Sequence, residues 1–224
     1  MANEYRVGLV DADEGIRAGR RMVLESSGRV NVTLELGSGA EIIERFADYL
    51  IDVLIIDQRL RGLSGVEVCH QISEIKLAEK IDTRLLLTTP YGTDKLTFEA
   101  LSAGATAVVS QESGSTALLE TVISLGARRR HYSIAEIRKL AAESTRKAKR
   151  DHALESHLAS FELRERSILQ AVVSGATLSE AANAFEVASY RVRKLIESSL
   201  SSLELVTLEQ LQLRYLAAGL ADDL

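Results

Sequence analysis

Five polar side chains stand where apolar runs of the sequence end, and their types could support metal or phosphoryl chemistry. They are Asp11, Asp13, Asp57, Thr89 and Gln111. If the runs are parallel strands, their carboxyl ends meet at one edge of a sheet, so we expect the three carboxylates to cluster. Neighbouring carboxylates repel unless a proton or a cation neutralises them, and oxygen ligands suit Mg²⁺. Asp57 beside such a cation could accept a phosphoryl group, because the metal offsets charge on the reacting oxygens.

Each acid also has a simpler structural role open to it. Asp13 directly precedes a predicted helix that begins at Glu14, and a carboxylate in that place accepts hydrogen bonds from the first turn of the helix. A metal site at Asp11, Asp13 and Asp57 and a set of capping and loop residues are therefore both compatible with the sequence. Their convergence on one sheet edge favours the site.

The elements that must position these residues follow from the hydrophobic pattern. Residues 1–125 alternate apolar, β-branched runs with stretches of helical period, and the runs lie at 5–10, 30–36, 52–57, 84–89 and 105–110. Short apolar strands separated by helices predict a parallel sheet with helices on both faces. The fold class is therefore α/β, a (βα)5 flavodoxin-like domain that binds ligands at the carboxyl ends of its strands.

The remaining chain has a helical period only. Three sequences of the capping-box form, SIAE at 133–136, TLSE at 177–180 and TLEQ at 207–210, predict helix starts. Between 161 and 205 the pattern is helix, helix, short turn and helix, with small residues in the second helix. We therefore predict three parts: a domain at 1–127, a helical basic linker at 128–158, and an all-α, four-helix helix-turn-helix domain at 159–224.

The third helix of that last domain begins with polar and basic residues suited to DNA. Tyr190, Arg191, Arg193 and Lys194 would face the groove and the phosphates if this helix is a recognition helix. An ordinary helical bundle with an exposed basic turn is the competing interpretation.

Composition limits the remaining possibilities. Residues 126–151 carry nine basic against three acidic residues, so a basic segment joins two acidic ones. Such a segment fits a polyanion or a solvated helix face. The single cysteine, Cys69, fits a reducing cytoplasm, and no apolar run approaches the roughly 20 residues that span a bilayer. No catalytic motif is present, so we expect no catalytic residue and no enzyme.

Residues 5–126 resemble the receiver domain of bacterial two-component response regulators. The similarity rests on LVDADEGIRAG (9–19), DVLIIDQRLRGLSG (52–65), the Thr88-Thr89 pair and ALSAGATAVVSQE (100–112). It implies that Asp57 occupies the phosphoacceptor position and that Thr89 contacts the phosphoryl group. It also implies a homodimer formed through the fourth helix, fifth strand and fifth helix.

The same segment departs from the family where the chemistry is done. The acidic pair reads Asp11-Ala12, the lysine after the fifth strand is Gln111, the aromatic reporter is Val108, and Arg61 stands in place of a proline. A neutral amide bonds more weakly to phosphoryl oxygens than an ammonium group does. We therefore predict an atypical receiver with at most a weakened Mg²⁺ site.

Residues 161–182 align without gaps with the output domain of the LuxR-type (NarL/FixJ) response regulators. Arg164, Glu165, Leu169, Gly175 and Glu180 stand at family positions. In that family the fourth helix, here 207–218, forms a dimer interface.

The chain is thus identified as an atypical response regulator that binds double-stranded DNA as a homodimer. A small-molecule ligand, a partner protein or constitutive dimerisation would replace the phosphoryl signal. The alternatives are a conventional regulator phosphorylated at Asp57 by a histidine kinase, an RNA-binding antiterminator, and a protein-interaction regulator.

Overall fold

The computed structural model describes residues 4–145 and 151–220, and its contacts divide the chain into two units, 1–131 and 132–224. The first unit contains five parallel strands: β1 (Tyr5–Val10), β2 (Val30–Leu36), β3 (Val53–Asp57), β4 (Arg84–Thr89) and β5 (Ala107–Ser110). Their order in the sheet is β2-β1-β3-β4-β5, the flavodoxin-like order. The α/β fold class predicted from the hydrophobic pattern is confirmed.

Helices cover both faces of this sheet. They are α1 (Glu14–Glu25), α2 (Gly39–Arg45), α3 (Gly65–Glu79), α4 (Asp94–Ser102) and α5 (Gly114–Gly126). Successive side chains of a strand point to opposite faces, so Val53 and Ile55 of β3 join the core under α1 and α5. Leu54 and Ile56 join the core under α2, α3 and α4. With both faces covered, β3 is buried along its whole length, and its carboxyl end carries Asp57.

The second unit is entirely helical in its described residues. It contains α6 (Ile134–Thr145), α7 (His152–Ala159), α8 (Leu163–Val173), α9 (Leu178–Ala184), α10 (Ser189–Ser202) and α11 (Leu208–Ala217). All three capping boxes predicted from the sequence form: the helix-start hydroxyl accepts from the backbone N–H three residues later, and that residue's side chain accepts in return. These local bonds explain why three of the helices begin where the sequence indicates.

The predicted linker, 128–158, contains α6 and all but the last residue of α7, which ends at Ala159. Residues 146–150, which hold four of its basic side chains, lie outside the described residues. Helix α6 packs against α11 and buries Ile137, Leu140 and Ala141. Its apolar stripe therefore has an intramolecular partner within the second unit.

No helix in the described ranges 4–145 and 151–220 is both long enough and apolar enough to cross a bilayer.

The buried Lys76 of α3 should make the stability of the folded protein depend on pH. Only 6% of this residue is exposed, and burial lowers the pKa of its ammonium group to about 8. Between that pH and the ordinary lysine value of 10.5, the unfolded chain holds a proton that the folded chain has released. The free energy of unfolding should therefore rise with pH across this window, by up to about 3 kcal/mol.

We expect Lys76→Met to remove this rise and to stabilise the protein below the window, where the wild type keeps a buried charge. Urea denaturation at about pH 7.5 and about pH 9.5 measures both effects. Equal pH slopes in the wild type and the variant would show that Lys76 is not the responsible group.

Candidate functional site

The carboxyl ends of β1 and β3 bring two carboxylates together. Asp11 follows β1 and Asp57 ends β3, the strand that pairs with β1, and the two side chains are 6% and 3% exposed. Two buried acids at adjacent strand ends repel each other and have lost most of their hydration, so a cation or a proton must compensate them.

The compensating cation is the side chain of Arg20. Its Nη1 atom donates to Asp11 Oδ2 at 2.7 Å and its Nη2 atom donates to Asp57 Oδ2 at 2.9 Å. The guanidinium group is itself only 9% exposed. One planar cation thus bridges the two acids with charge-assisted hydrogen bonds at short distances.

Sequence reasoning missed Arg20, although a signal was present. Ile16, Arg20 and Leu24 are spaced four residues apart and lie on one stripe of α1, the helix that packs on the sheet beside the strand ends. An arginine on the core-facing stripe of such a helix needs a buried anion as its partner.

Asp13 lies outside this pair. Its side chain caps α1 by accepting a hydrogen bond from the backbone N–H of Ile16 at 3.0 Å. Its own backbone N–H donates to Asp11 Oδ1 at 2.9 Å. The expected clustering therefore holds for Asp11 and Asp57 only, and the local geometry of a helix start decides the direction of the Asp13 side chain.

The hydroxyl group that contacts Asp57 belongs to Thr88. Its Oγ1 atom lies 3.2 Å from Asp57 Oδ2, whereas Thr89 donates its hydroxyl to the carbonyl of Tyr91 at 3.1 Å. Neighbouring residues of a strand point to opposite faces, so a shift of one position separates the two environments. The family resemblance placed the contact with a phosphoryl group at Thr89, whereas in this structure Thr88 is the threonine beside Asp57.

Gln111 reaches the same carboxylate from the end of β5. Its Nε2 atom lies 3.4 Å from Asp57 Oδ2, a long hydrogen bond from a neutral donor. The other oxygen, Oδ1, accepts from the backbone N–H of Arg59 at 2.9 Å. Both oxygens of Asp57 therefore have partners within the protein.

The electrostatics of the pair reflect its burial. Burial raises the pKa of the Asp11 carboxyl above its ordinary value, and the nearby Asp57 acts in the same direction. The backbone hydrogen bond from Asp13 and the Arg20 charge oppose this shift. Together the two acids and Arg20 carry one net negative charge when both acids are ionised.

These residues do not fit a Mg²⁺ ion. Arg20 bonds to both of the carboxylates that would hold it, and Asp13 caps a helix instead of completing the set. In the described ranges, no three His, Cys, Asp or Glu side chains are placed to hold a metal. A guanidinium group from within the chain therefore occupies the place between the acids and offsets one of their two charges.

In the second unit, the predicted basic residues lie together on the first half of α10. Tyr190, Arg191, Arg193 and Lys194 are all exposed, while Val192 between them is buried against α9 and α8. Arg191 Nε lies 3.4 Å from the Tyr190 hydroxyl, and this contact lowers the pKa of the phenol. Helix α9 buries the small residues Ala181 and Ala182, which allow its close approach to α10.

Comparisons with known proteins agree with this architecture. A family model for the response regulator receiver domain matches residues 7–123. The chain is 30% identical over 200 residues to the DNA-binding transcriptional activator DevR/DosR of Mycobacterium tuberculosis, with 88% of each chain covered.

Two solved structures extend the comparison. A LuxR-family two-component response regulator from Aurantimonas sp. SI85-9A1 is 25% identical with a TM-score of 0.55, over 63% of this chain and 98% of that one. The RcsB response regulator of Salmonella typhimurium is 18% identical with a TM-score of 0.53, over 96% of this chain and 100% of that one. The second similarity concerns the fold alone.

Proposed function

The chain belongs to the response regulator receiver family, and we propose that it is a DNA-binding transcriptional regulator whose receiver is not conventionally phosphorylated. In this proposal the receiver supplies dimerisation, and a signal other than a phosphoryl group controls it. The protein acts in the cytoplasm and is not an enzyme. A relative matched over 88% of this chain is named as a DNA-binding transcriptional activator.

The observation that carries the proposal is the bridge from Arg20 to Asp11 and Asp57. Phosphoryl transfer to a carboxylate needs a cation that contacts both the acceptor and the transferred group. Arg20 neutralises the acceptor but lies between the two acids, in the place where a metal would have to bind them. Gln111 then offers the transferred group only a neutral donor.

Attack by Asp57 also needs a free oxygen. Oδ2 accepts from Arg20, Thr88 and Gln111, and Oδ1 accepts from the backbone of Arg59. A lone pair directed at these donors is less available to a phosphorus atom. Adding a phosphoryl group would also place more negative charge beside two acids whose charge the buried Arg20 offsets only in part. We infer that Asp57 holds the pocket together through its contact with Arg20.

Incubation with acetyl phosphate and Mg²⁺, followed by intact-mass measurement, tests this proposal. We expect no phosphoryl adduct on the wild type and no change in its sedimentation coefficient with beryllofluoride and Mg²⁺. The triple variant Ala12→Asp, Arg20→Met, Gln111→Lys is the matched comparison, because it replaces the missing acid and ammonium group and removes the bridge. A stable adduct on the wild type that Asp57→Asn abolishes would establish the conventional alternative, in which a histidine kinase is the partner.

For DNA, we propose that the four exposed residues at the start of α10 form the contact surface. A recognition helix uses its amino-terminal half, and Arg191, Arg193 and Lys194 supply cations there beside the aromatic ring of Tyr190. Because the activator from M. tuberculosis matches 88% of this chain, its similarity includes this domain. That coverage favours DNA over RNA and over a protein-interaction role.

For the homodimer, we propose pairing through α4, β5 and α5 of the receiver, the surface that the family resemblance implies. The resemblance also implies pairing through the fourth helix of the output domain, which is α11. Helix α6 packs against α11 in this structure. Six of the ten residues of α11 are buried: Glu209, Gln210, Leu211, Gln212, Leu213 and Tyr215. Pairing through the receiver leaves this packing intact.

A further inference from the structure

A cleft opens between α1 and α5 directly beside the Arg20 bridge. Its volume is about 250 Å³, and it reaches from the carboxyl ends of β4 and β5 to the exposed surface of the two helices. An engineered apolar cavity of about 150 Å³ binds benzene, so this cleft has room for a ring of that size with a small substituent. This is the size of a small organic molecule.

Gly19 is the one position on the α1 side of the cleft that has no side chain. Gly19 lies inside α1, where glycine lowers helix stability relative to alanine. Neither backbone conformation nor packing requires glycine here: φ is outside the left-handed region, and an added Cβ would meet no atom within 4 Å. Gly114 on the opposite wall is different, because its φ of +80° favours glycine. The unexplained glycine is the one that leaves room for a ligand.

The lining determines which chemistry fits. Ile16, Val23, Val109 and Leu118 make most of the lining apolar. Burying an apolar body against such side chains is favourable, whereas burying a charged one is costly unless it is paired.

The inner end of the cleft is polar. Arg20, Thr88 and Gln111 line it. An arginine has five N–H donors, and the bonds from Arg20 to the two carboxylates use two of them. Donors at this end call for a hydrogen-bond acceptor on the ligand. Arg20 offsets only one of the two charges of Asp11 and Asp57. The other cation near Asp57, Arg59, is 61% exposed and does not line the cleft. The excess of negative charge at the buried end disfavours an anion, so the acceptor is neutral.

We propose that this cleft binds a neutral, mainly apolar small molecule with one carbonyl or amide acceptor directed toward Arg20 and Gln111. Such a ligand would contact the residues that hold Asp57 and would supply the receiver with the input that a phosphoryl group supplies elsewhere. The regulatory part of this inference rests on the proposed function, whereas the binding site itself does not.

Methyl NMR of the full-length protein tests the site with benzamide, an amide on an apolar ring. Titration should shift the methyl resonances of Ile16, Val23, Val109 and Leu118 in the wild type. Gly19→Leu should remove these shifts, because its side chain occupies the cleft without a steric clash at Cβ. Ala18→Leu is the matched control: it adds the same side chain at the neighbouring exposed position of α1, outside the cleft, and should leave the shifts unchanged.

Two further probes test the chemistry. Benzoate and benzylamine present the same ring with a negative and a positive head, and both should bind more weakly than benzamide. The proposal is overturned if benzamide shifts none of the four sets of methyl resonances, if Gly19→Leu retains the shifts, or if either charged probe binds more tightly. The acetyl phosphate experiment on the same protein reports separately on phosphorylation. Absence of ligand binding in the cleft and failure of the proposed function therefore give different results.

Discussion

Replacement of Arg20 by alanine is expected to lower the free energy of unfolding by about 3–5 kcal/mol, the range seen when one partner of a buried ion pair is removed. The variant keeps Asp11 and Asp57 beside each other at the ends of β1 and β3, both almost inaccessible to water. Asp11 then loses its ion-pair partner, and Asp57 keeps only Arg59, whose Nε lies 3.9 Å from Oδ1 and whose side chain is 61% exposed. The repulsion between the two acids adds to the cost of their desolvation.

The same variant should gain a response to Mg²⁺ that the wild type lacks. Without the guanidinium group, two carboxylates face a space that a hard cation can enter, and oxygen ligands suit Mg²⁺. A ligand that binds only the folded state stabilises it by mass action. We therefore expect millimolar Mg²⁺ to recover part of the lost stability in Arg20→Ala and to change the wild type little, as measured by urea denaturation in EDTA and in Mg²⁺.

Arg21→Ala provides the control on the same helix. Arg21 also contacts two acids, Glu25 at 3.3 Å and Glu35 at 2.7 Å, but its side chain is 47% exposed. Exposed ion pairs contribute about 0–1 kcal/mol, so this variant should be close to the wild type with or without Mg²⁺. Equal losses in the two variants, or equal Mg²⁺ responses in Arg20→Ala and the wild type, would contradict the role assigned to Arg20.

The second large effect is expected at the start of α10. Arg191→Ala and Arg193→Ala should each weaken specific DNA binding by about 1–3 kcal/mol if the side chain reads a base edge. If it contacts a phosphate instead, the affinity should fall for all DNA sequences. The slope of the logarithm of the binding constant against the logarithm of the salt concentration should then become shallower by about 0.9 for each lost contact. Both side chains are exposed, so neither substitution should disturb the core that Val192 and Ile196 form.

Electrophoretic shifts over a range of salt concentrations, on the promoter region of the protein's own gene, distinguish these results. Arg45→Ala is a suitable control, since Arg45 is an exposed arginine on α2 of the receiver. If the double variant Arg191→Ala, Arg193→Ala still binds DNA, the DNA-binding surface lies elsewhere in the protein. If the wild type binds RNA but not DNA, the antiterminator alternative is favoured.

Much of the fold follows from local pattern. The apolar runs at 5–10, 30–36 and 84–89 coincide with β1, β2 and β4, because composition and period reflect burial. β1 and β4 are buried along most of their length, whereas β2, at the edge of the sheet, has exposed residues at Asn31 and Thr33. The capping boxes mark three helix starts, because their hydrogen bonds join residues three positions apart. The family indicated by the motifs is confirmed by the comparisons.

The site could be predicted only in part. The ends of β1, β3 and β5 bring Asp11, Asp57 and Gln111 together, as parallel topology requires. The roles of Asp13 and Thr89 depend on the direction of each side chain, which a helix start and the one-residue alternation of a strand decide. The type and position of a residue in the sequence do not specify the direction of its side chain.

By itself, the sequence determined that an acid stands at the end of a central buried strand and that the family's second acid and its lysine are absent. Only the tertiary structure decided how that acid is neutralised. Arg20 is 37 residues from Asp57 along the chain, and its guanidinium reaches the acid because α1 packs across the sheet. The partner of a buried charge is set by the distance between the two groups in space, because charges at short range interact most strongly in a poorly hydrated interior. That is why the missing lysine was visible in the sequence and the arginine that neutralises Asp57 was not.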